Sequence, residues 1–404
     1  MREVVIASYL RTAQSRSRPN DPARDWFHKL RSDELLAQLL PEVIKRAGIE
    51  PKEVDDFLVG SATGVNEQWS YGGRFPIFLA DLPETISAKF LDQQCGSAMA
   101  ALHMGFMEVA MGYADTVMIG GMEHMTRIPM GGPTTEKGWI SPSMALFTDP
   151  KLAHWDMPTT MTMGLTAEKL VDQCGCTREE MDAWAVRSHH RAAQGQQDGY
   201  YDDEILPVEA EQADGTVMTV TQDQAVRGDT TLEGLSTLKT IFRPEGGRVT
   251  AGTSSPLNAG ATSMIMMSKD KARAQGVKPL ATVRSIGFAG VDPTIMGHGP
   301  VPASKKALAA AGLDVKDIDF WEINEAFVVV VLNCIKELGI DPEKVNVMGG
   351  GTAIGHPLGA TGVRLTGTLA RILNLKGGRY GLANACCGGG QGVATIIERE
   401  DYDW

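Results

Sequence analysis

The sequence predicts an α/β protein built from two similar halves. Short runs rich in β-branched and other apolar residues alternate with longer amphipathic segments, the order expected when strands and helices follow one another along a chain. One pattern near the amino terminus recurs in the last third of the chain. The 404 residues, 43% hydrophobic and 22% charged, are enough for two or three units with substantial cores.

The recurring pattern is AGIEPKEVDDFLVG at 47–60 and AGLDVKDIDFWEIN at 311–324. In each copy a helical segment ends, a turn follows, and a short charged stretch leads into a strand. The two copies are separated by about the same distance as Cys95 and His356, and each of these residues precedes a glycine-containing helix start. Two related halves are the economical explanation of this self-similarity.

The elements follow in order from the amino terminus. The first strand is predicted in REVVIASYLRT, and helices are predicted in DELLAQLLPEVIKR, CGSAMAALHMGFMEVAMG and HPLGATGVRLTGTLARIL. Between the halves, residues 125–246 carry many methionines, acids and turn residues, with a helical stretch in TAEKLVDQCGCTREEMDAWAVRSHHRAAQ. This long excursion is predicted to cover a binding site.

Composition and charge exclude several classes of function. The formal net charge of −12, with no basic block, argues against a nucleic-acid or anionic-membrane partner. The longest apolar run, FVVVVL at 327–332, is much shorter than the roughly 18 residues of a membrane-spanning helix. Neither end carries a recognisable targeting segment, so we expect a cytoplasmic protein.

The six cysteines are expected to be mostly reduced in that compartment. Cys174 and Cys176 form a lone C-x-C without a second pair at zinc-finger spacing, which indicates helix or loop cysteines and no metal site.

Two candidate reactive side chains precede predicted helices. Cys95, in LDQQCGSAMAAL, faces a helix start whose free amides and dipole favour a thiolate. The alternative is a small buried cysteine at a strand-to-helix corner. His356 lies between a glycine run and Pro357, where an imidazole can move a proton near neutral pH. Glycine-rich runs of this kind also bind phosphates or make turns, although Walker and dinucleotide spacings are absent.

Two further places carry chemistry. Asn324 and Glu325, in EINEAF, can hold a water or orient an imidazole, or can simply cap a helix. In NACCGGGQGVA, two cysteines precede three glycines whose amides can stabilise a negatively charged oxygen. Neighbouring side chains of an extended chain point to opposite sides, so Cys386 and Cys387 are not both expected to face one site. A disulfide between these adjacent residues is a poor explanation of the pair.

Taken together, the motifs CGSAM, NEAF, GHPLGATG and CCGGGQG, in this order and at these separations, resemble those of the thiolases. The resemblance extends over essentially the whole chain, from REVVIASYLRT to the final glycines. The segments GGMEHMTRIPM and DPTIMGHGPVPAS are most similar to those of the degradative 3-ketoacyl-CoA thiolases of fatty-acid β-oxidation.

The resemblance implies roles for five residues. Cys95 corresponds to the nucleophile that takes the acyl group, His356 to the base that activates it, and Cys386 to the second thiol, which acts as acid and base. Asn324 corresponds to the residue that holds a catalytic water and, with His356, forms one oxyanion hole. The amides of Cys95 and Gly388 form the other. Cys387 stands where relatives usually have an apolar residue.

The resemblance also implies contacts to coenzyme A and the acyl thioester. These fall on Ser255, Ala326, Phe327, Met163 and Met296. Lys239 replaces an arginine that stacks on the adenine in many relatives, and Arg227 or Arg243 is available to compensate. Thr162 stands where biosynthetic relatives often have a histidine. The aromatic and apolar residues Trp139, Phe147, Trp155 and Met157 are candidates for the acyl pocket or for ordinary loop packing.

The implied fold has five layers, α/β/α/β/α. Residues 1–124, completed by about 247–275, form the amino-terminal half, residues 125–246 the loop domain over the active site, and residues 276–404 the carboxyl-terminal half. Coenzyme A is expected as co-substrate, with no permanently bound cofactor and no metal. A homodimer or homotetramer is expected, and some degradative members join a multifunctional β-oxidation enzyme.

Three functions follow from these expectations. The first is thiolytic cleavage of 3-ketoacyl-CoA by coenzyme A to acetyl-CoA and a shortened acyl-CoA. The second is an acetoacetyl-CoA thiolase working on short chains. The third, an inactive thiolase-shaped binding subunit, is disfavoured because Cys95, Cys386, His356 and Asn324 are all retained.

Overall fold

The computed structural model describes residues 1–128 and 142–400. Within these ranges the helices, in chain order, are α1 Ser32–Arg46, α2 Arg74–Leu79, α3 Ser97–Met111, α4 Ala145–Thr148, α5 Met157–Thr160, α6 Met163–Cys174, α7 Arg178–Gln197, α8 Leu232–Ser236, α9 Lys269–Gln275, α10 Pro300–Ala311, α11 Val328–Leu338, α12 Gly351–Ile354 and α13 Thr361–Lys376. Three short 3₁₀ segments matter for the site: Gln94–Gly96, Pro293–His298 and Leu358–Ala360.

The strands of the same ranges are β1 Val4–Arg11, β2 Ser15–Arg16, β3 Asp56–Gly60, β4 Ser87–Leu91, β5 Thr116–His124, β6 Val208–Glu211, β7 Val217–Val220, β8 Asn258–Ser268, β9 Ala281–Gly290, β10 Phe320–Ile323, β11 Tyr380–Cys387 and β12 Gln391–Glu398. Apart from the β6–β7 hairpin, they form one large mixed sheet in the order β10-β11-β12-β9-β1-β8-β5-β3-β4, with β2 beside β8.

The sheet repeats one topology. In its first half, β3 runs parallel to β4 and β5, while β8 runs antiparallel to β5 and β1. In its second half, β10 runs parallel to β11 and forms a parallel bridge at Val345, while β12 runs antiparallel to β11 and β9. The prediction of two similar halves is thereby confirmed, and β1 and β9 join them in antiparallel register.

Helices cover both faces of each half-sheet and produce the five layers that the resemblance implied. Helix α1 packs on the outer face of the first half-sheet, α10 packs on the outer face of the second, and α3 and α13 lie between the two. Strands β1, β5 and β8 are buried along their whole length, as expected for strands with both faces covered. This explains why the strand sequences lack a regular alternation of apolar and polar residues.

The two central helices approach each other closely at their amino-terminal ends. A Cβ at Gly362 would lie 2.2 Å from the backbone nitrogen of Met99, so only glycine permits this approach. Helix α3 begins two residues after Cys95, and α13 begins five residues after His356. Packing in the middle layer therefore brings together two side chains that are far apart in sequence.

The chain between β5 and β8 contains α4–α8 and the β6–β7 hairpin. The helical stretch predicted in this part of the chain is present as α6 and α7, while the domain boundaries and the loop domain over the active site remain predictions. Within residues 1–128 and 142–400, no helix is long and apolar enough to span a membrane.

Cys174 and Cys176 differ from the expectation of reduced cysteines, because the structure pairs them in a disulfide. Gly175, between them, has a φ of 68°, and this left-handed turn folds the chain back at the end of α6. Cys95, Cys334, Cys386 and Cys387 are free and buried.

Candidate active site

Cys95 lies in the 3₁₀ turn Gln94–Gly96 that connects β4 to α3. The preceding residue, Gln94, has a φ of 51°, a strained value for a non-glycine residue and one often found at functional sites. Cys95 is 6% exposed and packs with Ala62, Met125 and Leu358. The backbone amide of Gly388 and that of Cys95 itself lie near the Cys95 sulfur and favour its thiolate.

The resting state of Cys95 differs from the thiolate that its place before a helix suggested. Burial raises the pKa of Cys95 to about 12, and the Glu123 carboxyl adds to the rise, whereas the Gly388 amide opposes it. Desolvation therefore outweighs the amide donors. The sulfur is a thiol at neutral pH, and it needs a base when it reacts.

His356 is buried at the end of the glycine run. Its backbone nitrogen donates to Asn258 Oδ1 at 2.8 Å, and its Nδ1 lies 2.6 Å from the Thr361 hydroxyl oxygen. That hydroxyl donates to the Pro357 carbonyl, so its oxygen accepts from Nδ1–H and leaves the lone pair on Nε2. Burial, with a contribution from the Arg364 charge, lowers the pKa of His356 to about 3. His356 is thus a neutral imidazole with Nε2 as its basic atom.

The glycine before His356 is required by the close approach of Asn258. Gly355 has a φ of 117°, and a Cβ there would lie 2.5 Å from Asn258 Nδ2. Asn258 in turn donates from Nδ2 to the Ser15 carbonyl at 2.8 Å. The imidazole is therefore held by contacts to both halves of the molecule.

Asn324 follows β10 directly and meets His356. Its Nδ2 lies 3.2 Å from His356 Nε2, and its backbone nitrogen donates to the Asn384 carbonyl on β11 at 3.0 Å. Asn324 Oδ1 is buried and accepts no hydrogen bond from the residues that the structure describes. A polar atom in this position suits a bound water or a substrate donor.

Glu325, the second candidate of the EINEAF motif, is a structural anchor. Its carboxylate accepts hydrogen bonds from Trp184 and Ser188 on α7 at 2.9 and 2.7 Å, and from Asn346 and the Thr352 amide at 2.8 and 2.9 Å. These four bonds tie the loop before His356 to α7 and to the end of β10. Glu325 thereby places its neighbour Asn324.

Cys386 and Cys387 end β11 and point to opposite faces of the sheet, as the extended conformation predicted. Cys386 packs in the same apolar cluster as Met296, Ala326 and Phe327. Cys387 packs between the half-sheets with residues of the central helices, and its sulfur lies so close to Gly96 that a Cβ there would be 2.5 Å from it. Burial raises the pKa of both thiols, and each lies close enough to Cys95 for the charges to interact.

The structure brings together five of the six residues expected to contact coenzyme A. Met163, at the start of α6, packs against the cluster that contains Met296, Ala326 and Phe327. The Ser255 amide donates to the Ala326 carbonyl at 3.0 Å. Lys239 is exposed outside this cluster. Arg243, one of the two arginines expected to compensate for it, is paired with Asp172 and Glu168 at 2.6 and 3.2 Å.

A cavity of 660 Å³ lies beside the glycine loop that follows Cys387. Apolar and aromatic side chains from α4 and α5 and the segment between them form one wall, and the loops after β9 and β11 form the other; the lining includes Leu146, Trp155, Met157, Val291, Pro293, Gly389 and Gly390. Of the proposed acyl-pocket residues, Trp155 and Met157 line this cavity. Phe147 does not line it and is 44% exposed, and Trp139 lies outside the described residues.

Several residues of the site were not predicted. Glu123, at the end of β5, accepts hydrogen bonds from the Ala62 and Gly359 amides at 2.8 and 2.9 Å, so it joins the loop near Cys95 to the turn after His356. Burial raises the pKa of Glu123 to about 7. Asn258 and Thr361 hold His356. The contact between Thr361 and His356 could have been expected, because the two residues are close in sequence. The contacts of Glu123 and Asn258 join segments that are far apart in sequence and could not.

No group of three or more His, Cys, Asp or Glu side chains within residues 1–128 and 142–400 is arranged to hold a metal ion. The arrangement does offer a buried thiol with two backbone amides near its sulfur, a neutral imidazole paired with an amide side chain, and a second thiol. These are the groups needed for nucleophilic acyl transfer.

Comparison with known proteins agrees with this geometry. Family descriptions match in two parts, "Thiolase, N-terminal domain" at residues 4–270 and "Thiolase, C-terminal domain" at 277–399. Proteins named 3-ketoacyl-CoA thiolase are similar over the whole chain: one from Marinobacter nauticus is 40% identical, with 98% of each chain covered, and one from Aliivibrio fischeri is 41% identical, with 99% of this chain and 100% of the relative covered.

Two solved structures are also similar. Bacillus anthracis acetyl-CoA acetyltransferase is 35% identical with a TM-score of 0.84, and human mitochondrial 3-ketoacyl-CoA thiolase is 31% identical with a TM-score of 0.86, with 99% of each chain covered in both cases. The repeated half-sheet, the paired central helices and the full-length similarity lead to one conclusion. The chain belongs to the thiolase family.

Proposed function

We propose that this protein catalyses thiolytic cleavage of 3-ketoacyl-CoA by coenzyme A, giving acetyl-CoA and a shortened acyl-CoA. The observation that supports this most strongly is the convergence at Cys95: the backbone amides of Cys95 and Gly388 lie near its sulfur, the turn after His356 packs against it, and Cys386 lies near it. Relatives named 3-ketoacyl-CoA thiolase at about 40% identity support the substrate class.

In the first half-reaction, the Cys95 sulfur attacks the 3-keto carbon while its proton passes to His356 Nε2. Two oxyanions form in the reaction, and we assign one to the amides of Cys95 and Gly388 and the other to His356 together with Asn324. The bond between the second and third carbons then breaks, and the departing acetyl-CoA enolate takes the proton of the Cys386 thiol. The products are acetyl-CoA, acyl-Cys95, protonated His356 and the Cys386 thiolate.

In the second half-reaction, the Cys386 thiolate removes the proton of coenzyme A, whose sulfur attacks the acyl-Cys95 carbonyl. Collapse of the tetrahedral intermediate expels the Cys95 sulfur, which recovers its proton from His356. One thioester replaces another. The proton of Cys95 returns to it through His356, whereas the proton of Cys386 leaves with acetyl-CoA and is replaced by the proton of coenzyme A, so each group of the enzyme regains its starting protonation state. Because His356 has a low resting pKa, its protonated form needs a negative charge nearby, which the oxyanion supplies first and the Cys386 thiolate supplies in the acyl-enzyme.

The phosphate end of coenzyme A needs positive charge on an otherwise acidic protein. Arg16, Arg18 and Arg24 line a 330 Å³ cavity with Pro256 and Leu257, which follow Ser255. Burial and the neighbouring guanidinium groups of Arg18, Arg227 and Arg24 lower the pKa of Arg16 to about 10. We assign Arg227, as part of this group, the compensating role for Lys239.

The 660 Å³ cavity beside the glycine loop is proposed to receive the acyl chain. Each additional buried methylene contributes about 0.8 kcal/mol, so substrates with longer chains should be cleaved more efficiently than acetoacetyl-CoA. The second candidate function, an acetoacetyl-CoA thiolase, has its support in the Bacillus anthracis acetyl-CoA acetyltransferase.

We also propose that the protein forms a homo-oligomer. The side chains of Trp69, Tyr71, Phe75, Phe78 and Leu79 are exposed next to β4, which lies at the edge of the sheet. Exposed apolar clusters of this kind are typical of protein–protein contacts.

Steady-state kinetics with free coenzyme A and either acetoacetyl-CoA or a 3-ketoacyl-CoA of six or more carbons tests these proposals. A higher kcat/KM for the longer substrate supports the first function. Replacement Trp155→Ala should then reduce kcat/KM for the long substrate about tenfold and leave acetoacetyl-CoA within about twofold, since only the long chain reaches the cavity. Turnover of acetoacetyl-CoA alone would support the second function, and turnover of neither substrate would support an inactive binding subunit.

A further inference from the structure

A buried ion pair links β10 to the central helix α13. Arg364 Nη1 donates to Glu322 Oε2 at 3.0 Å, and both side chains are completely buried. The remaining polar atoms of the pair, Arg364 Nε and Nη2 and Glu322 Oε1, have no hydrogen-bond partner among residues 1–128 and 142–400. A buried ion pair seldom makes a protein more stable than apolar residues of similar size would. Stability alone therefore does not explain why this pair is present.

Each residue of the pair lies close in sequence to a residue of the site, Glu322 on β10 and Arg364 on α13. Glu322 and Asn324 are two residues apart along the chain. Trp321, which precedes Glu322, and Ile323, which lies between the two, both pack in the apolar cluster that contains Met296 and Phe327. Glu322 and Asn324 therefore share the face directed at α13.

On the helix, Arg364 follows Thr361 by three residues, so both lie on one side of α13. Thr361 bonds His356 Nδ1 at 2.6 Å, and His356 Nε2 meets Asn324 Nδ2 at 3.2 Å. The same strand and the same helix are thus connected twice, once by the ion pair and once through Asn324, His356 and Thr361. The first connection sets the separation that the second one needs.

We propose that Glu322 and Arg364 are positioning residues that hold Asn324 against the His356 imidazole. This inference rests on the proposed function, in which Asn324 and His356 together stabilise an oxyanion. A displacement of about 1 Å in such a pair is enough to reduce a rate substantially. The charge of Arg364 also favours the neutral form of His356, consistent with the lowered pKa of that imidazole.

The test replaces the whole pair by apolar side chains. The double variant Glu322→Met with Arg364→Met leaves no unpaired buried charge, so it should fold with a melting temperature close to that of the unchanged protein. Single-turnover transfer of an acetyl group from acetyl-CoA to Cys95, followed by intact-protein mass, should be slowed about tenfold. The fall is expected to be smaller than the 10²–10³-fold cost of deleting an oxyanion donor. The concentration of acetyl-CoA giving half-maximal rate should not change.

The double-mutant comparison separates positioning from a general structural effect. If the pair acts through Asn324, the same double replacement in an Asn324→Ala background should slow acylation less than about twofold. An equal loss in both backgrounds, or no loss in the folded double variant, overturns the proposal. The conservative replacement Glu322→Gln keeps an acceptor for Arg364 and should retain most of the rate.

A matched control removes another buried polar pair between a central helix and the second half-sheet. His103 on α3 lies 2.9 Å from Thr395 on β12, and neither touches Asn324 or His356. The variant His103→Leu with Thr395→Val should keep the acylation rate within about twofold, as expected for a distant site. A crystal structure of the Glu322→Met, Arg364→Met variant gives a reading independent of activity. Retention of the 3.2 Å Asn324–His356 contact overturns the positioning role, even if the unchanged protein transfers no acyl group.

Discussion

At the scale of single residues, burial controls the reactive groups more strongly than their place at helix ends. Helix α3 begins beside Cys95, and a helix start favours an anion by roughly 0.3–1 kcal/mol. Removing a thiolate from water costs more than this, and burial accordingly raises the pKa of Cys95 to about 12. The same burial lowers the pKa of His356 to about 3, so the two groups start as neutral thiol and neutral imidazole.

This balance predicts how Cys95 reacts with iodoacetamide. Only the thiolate is alkylated, and its fraction rises with pH up to the pKa, so labelling should be slow at pH 7 and should still be accelerating at pH 10. Among the free cysteines Cys95 should react first, because Cys334, Cys386 and Cys387 are completely buried. Peptide mapping of protein labelled at several pH values measures both expectations.

Acyl-CoA should protect Cys95 from the reagent, because it occupies the same site. A labelling rate that is already at its plateau at pH 7 would show a resting thiolate and contradict the balance given above. Labelling of Cys334 before Cys95, with activity intact, would remove the nucleophile assignment.

At the scale of the element, side chains along β11 point alternately to the two faces of the sheet. The neighbouring thiols of Cys386 and Cys387 therefore lie in different environments. Cys386 faces the cluster shared with Met296 and Phe327, and Cys387 faces Gly96 at the start of α3. The strand conformation therefore explains why two adjacent thiols need not have two catalytic roles.

The variants Cys386→Ser and Cys387→Ala test that assignment. Serine is a much weaker acid and base, so Cys386→Ser should reduce thiolysis by about 10²–10⁴-fold while Cys95 still accepts an acetyl group from acetyl-CoA. Cys387→Ala loses packing and one hydrogen bond, at a cost of about 1–2 kcal/mol in the free energy of unfolding, and should keep most activity.

Thiolysis rates, acyl-enzyme formation and urea unfolding of both variants give the comparison. A folded but inactive Cys387→Ala protein beside an active Cys386→Ser protein would reverse the two assignments.

At the scale of the whole molecule, the net charge of −12 opposes binding of coenzyme A, which is itself an anion. Local positive charge must therefore offset the overall field at the nucleotide end of the substrate. Arg243 is engaged with Asp172 and Glu168, whereas Arg227 is exposed beside Arg16.

We predict that Arg227→Ala raises the KM for coenzyme A about five- to tenfold, as expected for one partly exposed contact to phosphate. Pantetheine has the reactive thiol but lacks the phosphates and the adenosine, so its KM should change less than about twofold. Thiolysis of one 3-ketoacyl-CoA with each thiol as acceptor measures the ratio.

The control is Lys52→Ala, which removes one exposed positive charge at the opposite, amino-terminal end of β3. It should leave both KM values unchanged. Equal effects of Arg227→Ala on coenzyme A and pantetheine would show that the arginine does not act through the phosphate end.

Much of the architecture was determined by the sequence alone. Local signals are contained in short stretches: glycines end several of the described helices, apolar runs occur in covered strands, and the repeated 47–60 and 311–324 segments predicted two similar halves. The motifs around Cys95, Asn324, His356 and Cys386 identified the candidate site because each is itself a local pattern.

Tertiary structure decided the remainder, because it depends on contacts between segments that no local pattern connects. The pKa values of Cys95 and His356 follow from how deeply the packed layers bury them, and a single sequence does not state that depth. Glu123 and Asn258 enter the site only because the fold brings their partners, Gly359 and His356, from the other half of the molecule. The Glu322–Arg364 pair forms because the fold brings together a strand and a helix of the same half whose residues are 42 positions apart. Burial and long-range hydrogen bonding are properties of the folded layers, whereas the helix and strand patterns are properties of the residues in order.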